Sequence, residues 1–217
     1  MLKKVVVVAA VTIMLTMVFS TLASAQILDV YWVNYFSQRN NALGFDQFLR
    51  IINTGQTGTP TSPGQGTLCA NIYVFDEVQE MVECCACPIT ANGLLQLSVN
   101  NSLTANPLTV PAPNSGVIKI VSTVPVVQPN QPNGVTNHVC DPTGTLAGYA
   151  PTPDLRSWAT HLTQYSAGLY QTTEGESLPA TLQGPEEAYL QQACQFVLYL
   201  GSGKGSCLTA GVCTNVP

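Results

Sequence analysis

Charge is scarce in this sequence. Only 9% of its 217 residues are Asp, Glu, Lys or Arg, against about 25% in an ordinary soluble domain. Seven basic residues stand against 12 acidic ones, a net charge of −5, so no basic stripe exists to neutralise phosphates and nucleic-acid binding is excluded. Histidine is nearly absent: His138 and His161 are the only two. There is no GxSxG nucleophile elbow and no DxDxDG calcium loop. The run Gly201-Ser202-Gly203-Lys204-Gly205-Ser206 fails as a phosphate loop, because Lys204 lacks a following Ser or Thr and the glycines end a helix pattern instead of opening one. No catalytic residue, cofactor site or metal site is assigned from motifs.

Long apolar runs are missing after Ala25, so no membrane span is expected in the mature chain. Before that point, Lys3 and Lys4, the apolar Val5 to Phe19 and the small residues Ala23-Ser24-Ala25 form the three parts of a secretory signal, residues 1–25. The competing reading is a retained anchor, since Val5 to Leu22 nearly reaches spanning length. Cleavage is favoured by the small-residue site, which implies a secreted, periplasmic or cell-surface location.

Cysteine, in contrast, is plentiful. Cys69, Cys84, Cys85, Cys87, Cys140, Cys194, Cys207 and Cys213 all follow the signal segment, and an even number in an oxidising compartment predicts four disulfides. If Val82 to Cys87 is extended, Cys85 and Cys87 share one face and Cys84 takes the other, so none bridges another. Three bridges must then leave this cluster. A hairpin pairing Phe75 with Gln79 places Cys69 opposite Cys85 and suggests that bridge, with Cys194 or Cys213 tying the tail to the cluster. Two sharper readings compete. A redox CxxC at Cys84 and Cys87 needs a helix start, whereas Pro88 and strand-like flanks follow. A zinc site from Cys84, Cys87, His138 and Cys140 has suitable ligands but an unusual spacing.

Fifteen prolines and 17 glycines punctuate short elements. Candidate strands are Leu28 to Phe36, Gln47 to Asn53, Leu68 to Phe75, Gln79 to Cys87, Leu94 to Asn100 and Val117 to Thr123. Residues 26–124 thus read as a β-rich domain, a sandwich or partly open barrel. The polar loop Thr54 to Gly66 interrupts it. Residues 125–151 form a proline-rich connector that Cys140 pins to the body. Residues 152–217 read as a helical element: Thr152 and Pro153 open a first helix presenting Leu155, Trp158, Ala159 and Leu162, and a second runs from Pro185 to Leu200. The expected class is α+β, mainly β, with two C-terminal helices packed on the β domain.

Function is expected from the scaffold, since motifs are silent. The first expectation is a disulfide-stapled structural or binding protein, with a glycan or cell-surface component as partner. Tyr31, Trp32, Tyr35 and Phe36 would form a sugar-stacking face if exposed, although core burial is the commoner fate of such residues. The second is a hydrolase using His138 or the acidic hairpin Asp76, Glu77, Glu80 and Glu83, for which a solvated turn is the simpler reading. Thiol-disulfide or metal chemistry at the Cys84 to Cys87 cluster is the third. His161 reads as a structural histidine, and Asn100-Asn101-Ser102 is a glycosylation pattern only in a eukaryotic source.

Overall fold

The computed structural model of the chain describes residues 30–56, 66–128, 137–199, 203–208 and 213. The expected signal segment lies outside these residues, as do most of the Thr54 to Gly66 loop and the side chain of His138. The described elements run β1 (Tyr31–Phe36), β2 (Phe48–Asn53), β3 (Leu68–Asp76), β4 (Met81–Ile89), β5 (Leu94–Ser98), a π-helical turn (Val99–Leu103), β6 (Gly116–Thr123), β7 (Val126–Gln128), β8 (Asn137–Val139), β9 (Leu155–Ser166), β10 (Leu169–Glu176), β11 (Leu178–Pro179) and helix α1 (Gly184–Tyr199).

The strands form two main open antiparallel sheets. One has the order β11-β1-β6-β3-β4, the other β10-β9-β2-β5, and β7 pairs with β8 apart from both. The inner faces meet in an apolar core: Leu49, Ile51, Leu95, Leu97, Leu155 and Ala159 pack against Trp32, Leu68, Ile72, Val74, Ile118 and Ile120. On its other face the five-stranded sheet carries Tyr31, Tyr73, Phe75 and Val121, which α1 covers with Leu190, Cys194 and Val197. This gives three layers: small sheet, large sheet, helix. A strand of the middle layer is shielded on both faces, so β3 (LCANIYVFD) is buried at eight consecutive positions. The outer sheet is shielded on one face, so β2 alternates between buried and half-buried residues. Each pattern is what its layer requires.

The first expected C-terminal helix is instead a strand, β9. Its burial alternates with period two from Leu155 to Thr160, and it pairs with β2 from Leu49↔Ala159 to Asn53↔Leu155. Helical spacing of Leu155, Trp158, Ala159 and Leu162 misleads because the inward positions between them include Ser157 and His161, which hide the alternation. Thr152 does not cap a helix; its N–H donates to the Ser122 carbonyl at 2.9 Å. The second expected helix is present as α1. The boundary at residue 152 does not divide the fold, because β9 and β10 complete one sheet and β11 edges the other. Within the expected connector, β7 and β8 pair with each other, and Ala150 accepts the Val124 N–H.

The β3–β4 hairpin also differs in register. Phe75 faces Met81 and Cys69 faces Pro88, with a bulge between Val74 and Phe75. Asp76 explains the longer turn: its carboxylate accepts the N–H groups of Val78 at 3.0 Å and Glu80 at 2.8 Å, while Gln79 adopts φ 71°. Such an Asx-type turn holds the strands apart for longer than the expected three-residue connection.

Candidate functional site

Strand β4 is a covalent hub. Its three cysteines bond to three distant residues, in the pairs Cys84–Cys194, Cys85–Cys207 and Cys87–Cys213, and the fourth bridge is Cys69–Cys140. No described cysteine is free. The strand period accounts for the division: Cys85 and Cys87 face the core between the sheets, whereas Cys84 faces α1. The expected separation of the trio holds, and both Cys194 and Cys213 reach it. The Cys69–Cys85 bridge does not form, since the altered register sets Cys85 opposite Ile72. The zinc set also separates, because Cys84, Cys87 and Cys140 belong to three different bridges. Nor does Cys84 to Cys87 open a helix, so it lacks the setting of a redox CxxC.

The free edge of β4 is closed by later chain. Cys84 N–H donates to the Gly205 carbonyl at 2.8 Å and Leu108 N–H to the Val82 carbonyl at 2.9 Å. Gly205, at φ +86°, passes so close to Val197 that a side chain there would collide with it. Under this cover lies Glu83, fully buried. One carboxyl oxygen accepts the Asn106 N–H at 2.6 Å and the other has no hydrogen-bond partner. Burial pushes its pKa up to about 8, against the lowering effects of that hydrogen bond and of Arg39. Glu83 is therefore not part of the solvated turn to which the sequence reading assigned it. Glu77 and Glu80 are exposed there, so the hairpin acids do not converge on a reacting atom.

A half-buried ion pair joins the helix to the sheet. Lys119 Nζ contacts Glu186 Oε1 at 2.6 Å, and the Tyr31 hydroxyl donates to the same oxygen at 3.0 Å. Burial works to raise the Glu186 pKa, but the hydrogen bonds from Lys119 and Tyr31 outweigh it and hold the carboxyl below its ordinary value. Glu186 also stands in the first turn of α1, where the helix dipole favours a negative charge.

The aromatic residues divide as burial dictates. Tyr31, Trp32 and Phe36 turn into the core, while Tyr35 remains 52% exposed. Its ring stacks on His161 of β9, with centroids 4.0 Å apart and planes at 18°. Burial lowers the His161 pKa from its ordinary value, against the raising effect of a backbone hydrogen bond at Tyr35. Phe45 meets Tyr170 of β10 edge-on at 6.2 Å. Tyr165, 72% exposed, borders a shallow concavity of about 540 Å³ with Ser37, Gln38, Thr163 and Gln164. All three groupings lie on the β9–β10 hairpin or against it. From Trp158 to Thr173 the chain contains no Asp, Glu, Lys or Arg, so this stretch of the hairpin offers rings, hydroxyls and amides without charge. In sequence, Phe45, Tyr165 and Tyr170 stand in no motif, and the helical spacing of Leu155, Trp158, Ala159 and Leu162 hides the β9–β10 hairpin that carries Tyr165 and brings Tyr170 to Phe45. The signal present is the charge-free, Thr- and Tyr-rich stretch itself.

No protein-family model matches the chain, and no curated protein matches it in sequence. Among solved structures, it is similar to an Anabaena sensory rhodopsin transducer at 16% identity and a TM-score of 0.31, over 46% of this chain and 91% of that one. A superposition that loose carries no argument about fold or function. The class is defined by the structure itself: a disulfide-linked protein of two antiparallel sheets and one C-terminal helix. Among the described residues no helix is long and apolar enough to cross a membrane.

Proposed function

We propose that this chain is an exported, non-catalytic binding protein that holds a neutral glycan on the aromatic end of the β9–β10 hairpin. The observation that carries this reading is the exposed Tyr165 ring in the wall of a concavity whose other lining residues are Ser, Thr and Gln together with Leu162 and Ala167, none with a formal charge. A pyranose presents an apolar C–H face to a ring and hydroxyls to amide and hydroxyl neighbours, which is the chemistry these residues offer. Tyr35 stacks on His161 and Tyr170 meets Phe45, so these two rings are ordered before any ligand arrives, which lowers the entropy cost of a contact with them. Four intramolecular disulfides support export to an oxidising compartment.

The test is titration of the oxidised protein with neutral oligosaccharides, read by calorimetry, on the native chain and on Tyr165→Ala. A stacked ring contributes about 1 kcal/mol, so the variant should bind roughly fivefold more weakly at an unchanged melting temperature. Absence of binding to every neutral glycan, or equal affinity in the variant, would refute the reading.

A further inference from the structure

We infer that the sulfurs of Cys85, Cys87, Cys207 and Cys213, once their two bridges are reduced, form a closed site for a thiophilic divalent cation such as zinc. The Sγ atoms of Cys85, Cys87 and Cys213 lie within 4.8 Å of one another. Cys207 is bonded to Cys85, so reduction frees a fourth thiol beside one of these three. In a tetrahedral tetrathiolate with metal–sulfur bonds of about 2.3 Å the sulfurs stand roughly 3.8 Å apart; the Cys85, Cys87 and Cys213 sulfurs already lie within 4.8 Å of one another, and Cys207 would close on them from its place beside Cys85.

The supply of ligands is built into the fold. Strand β4 places Cys85 and Cys87 on one face by its two-residue period, and the C-terminal segment brings Cys207 and Cys213 to meet them. All four are at most 7% exposed, which gives the closed surroundings of a structural metal site. The remaining cysteines are kept away. Cys84 and Cys194 lie with the helix on the far side of the sheet, and Cys69 and Cys140 cluster separately with Ala86. Thiolate ligands in this number select a soft or borderline cation over calcium or magnesium.

The chemistry balances with a phosphine as reductant. Each bridge accepts two electrons and two protons and yields two thiols, while the phosphine takes oxygen from water and leaves as its oxide. Binding one cation to the four thiols then releases about four protons. The C-terminal segment thus has two ways of being held to β4, one covalent and one by coordination. This inference is independent of the glycan reading, which concerns the oxidised chain and the other end of β9.

The full chain, reduced by a phosphine without oxygen, is titrated with cobalt(II) and then with zinc. Expected is one cobalt per chain, with a thiolate charge-transfer band in the near ultraviolet and tetrahedral d–d bands in the red, both displaced by zinc. Cys207→Ser and Cys213→Ser should each remove the four-sulfur signature, and the double variant Cys84→Ala, Cys194→Ala should retain it. Alkylation of the reduced chain mapped by mass spectrometry reads the same point even where reduction loosens the fold. Zinc should protect Cys85, Cys87, Cys207 and Cys213 and leave Cys69, Cys84, Cys140 and Cys194 open. Equal labelling of all eight with and without zinc, or a cobalt spectrum indifferent to Cys207→Ser and Cys213→Ser, overturns the inference.

Discussion

Replacing Glu83 by Gln should change how stability depends on pH, in a direction fixed by burial. In the folded chain the carboxyl titrates near 8, raised from 4.5 by burial at the sheet edge. Between those values the folded state holds a proton that the unfolded state has lost. The stability linked to this residue is therefore fully present below pH 4.5, declines as pH rises, and is lost once pH passes about 8. The slope is about 1.4 kcal/mol per pH unit, and the decline from pH 5 to pH 9 is roughly 4 kcal/mol. Gln cannot ionise, yet its side-chain carbonyl can still accept the Asn106 N–H that now reaches Glu83 at 2.6 Å. Urea unfolding of the oxidised native chain and of Glu83→Gln, from pH 5 to pH 9, isolates this residue because every other titrating group cancels in the difference. The variant should gain on the native chain by roughly 4 kcal/mol across that range, with the denaturant slope unchanged. A difference that does not vary with pH, or that widens as pH falls, would show that Glu83 is ionised in the folded protein and defeat the reasoning.

Three further outcomes are expected. Removing the bridge that holds α1, with Cys84→Ser and Cys194→Ser, opens a closure of 110 residues and should cost roughly 3 to 5 kcal/mol in urea unfolding; a loss below about 1 kcal/mol would mean that the apolar contacts of α1 suffice. Gly116→Ala puts a methyl group into the Phe75 carbonyl and the Phe36 ring, so a loss of roughly 3 kcal/mol or more is expected, and a variant as stable as the native chain contradicts the β1–β6–β3 register. Burial lowers the His161 pKa below 6.5, so the stability tied to its neutral form is complete above pH 6.5 and falls on acidification; His161→Phe should abolish that part of the acid slope, and an unaltered slope would place the imidazole in solvent.

Much of the middle layer was legible because its strands are shielded on both faces. Val117 to Val121 and Leu68 to Phe75 are apolar at nearly every position, and a strand buried on both sides needs that pattern. The separation of Cys84 from Cys85 and Cys87 followed from strand period alone. Their partners did not, since closures of 110 to 126 residues depend on where α1 and the tail dock. Strand β9 was misread as a helix because Ser157 and His161 occupy inward positions, and with it went the Tyr165 site. The hairpin register slipped because the Asp76 side chain organises a longer turn than composition suggests. That slip also hid Glu83, an acid that looks like part of a solvated cluster until the sheet edge is seen closing over it.

The role of β4 as anchor for the C-terminal half is tested most directly by mass-spectrometric mapping of the bridges in the unreduced protein. Four links should be found, Cys69–Cys140, Cys84–Cys194, Cys85–Cys207 and Cys87–Cys213, with no thiol left to label. A bond between any two of Cys84, Cys85 and Cys87, or a Cys69–Cys85 link, would contradict the register of β4 and the layered fold built on it.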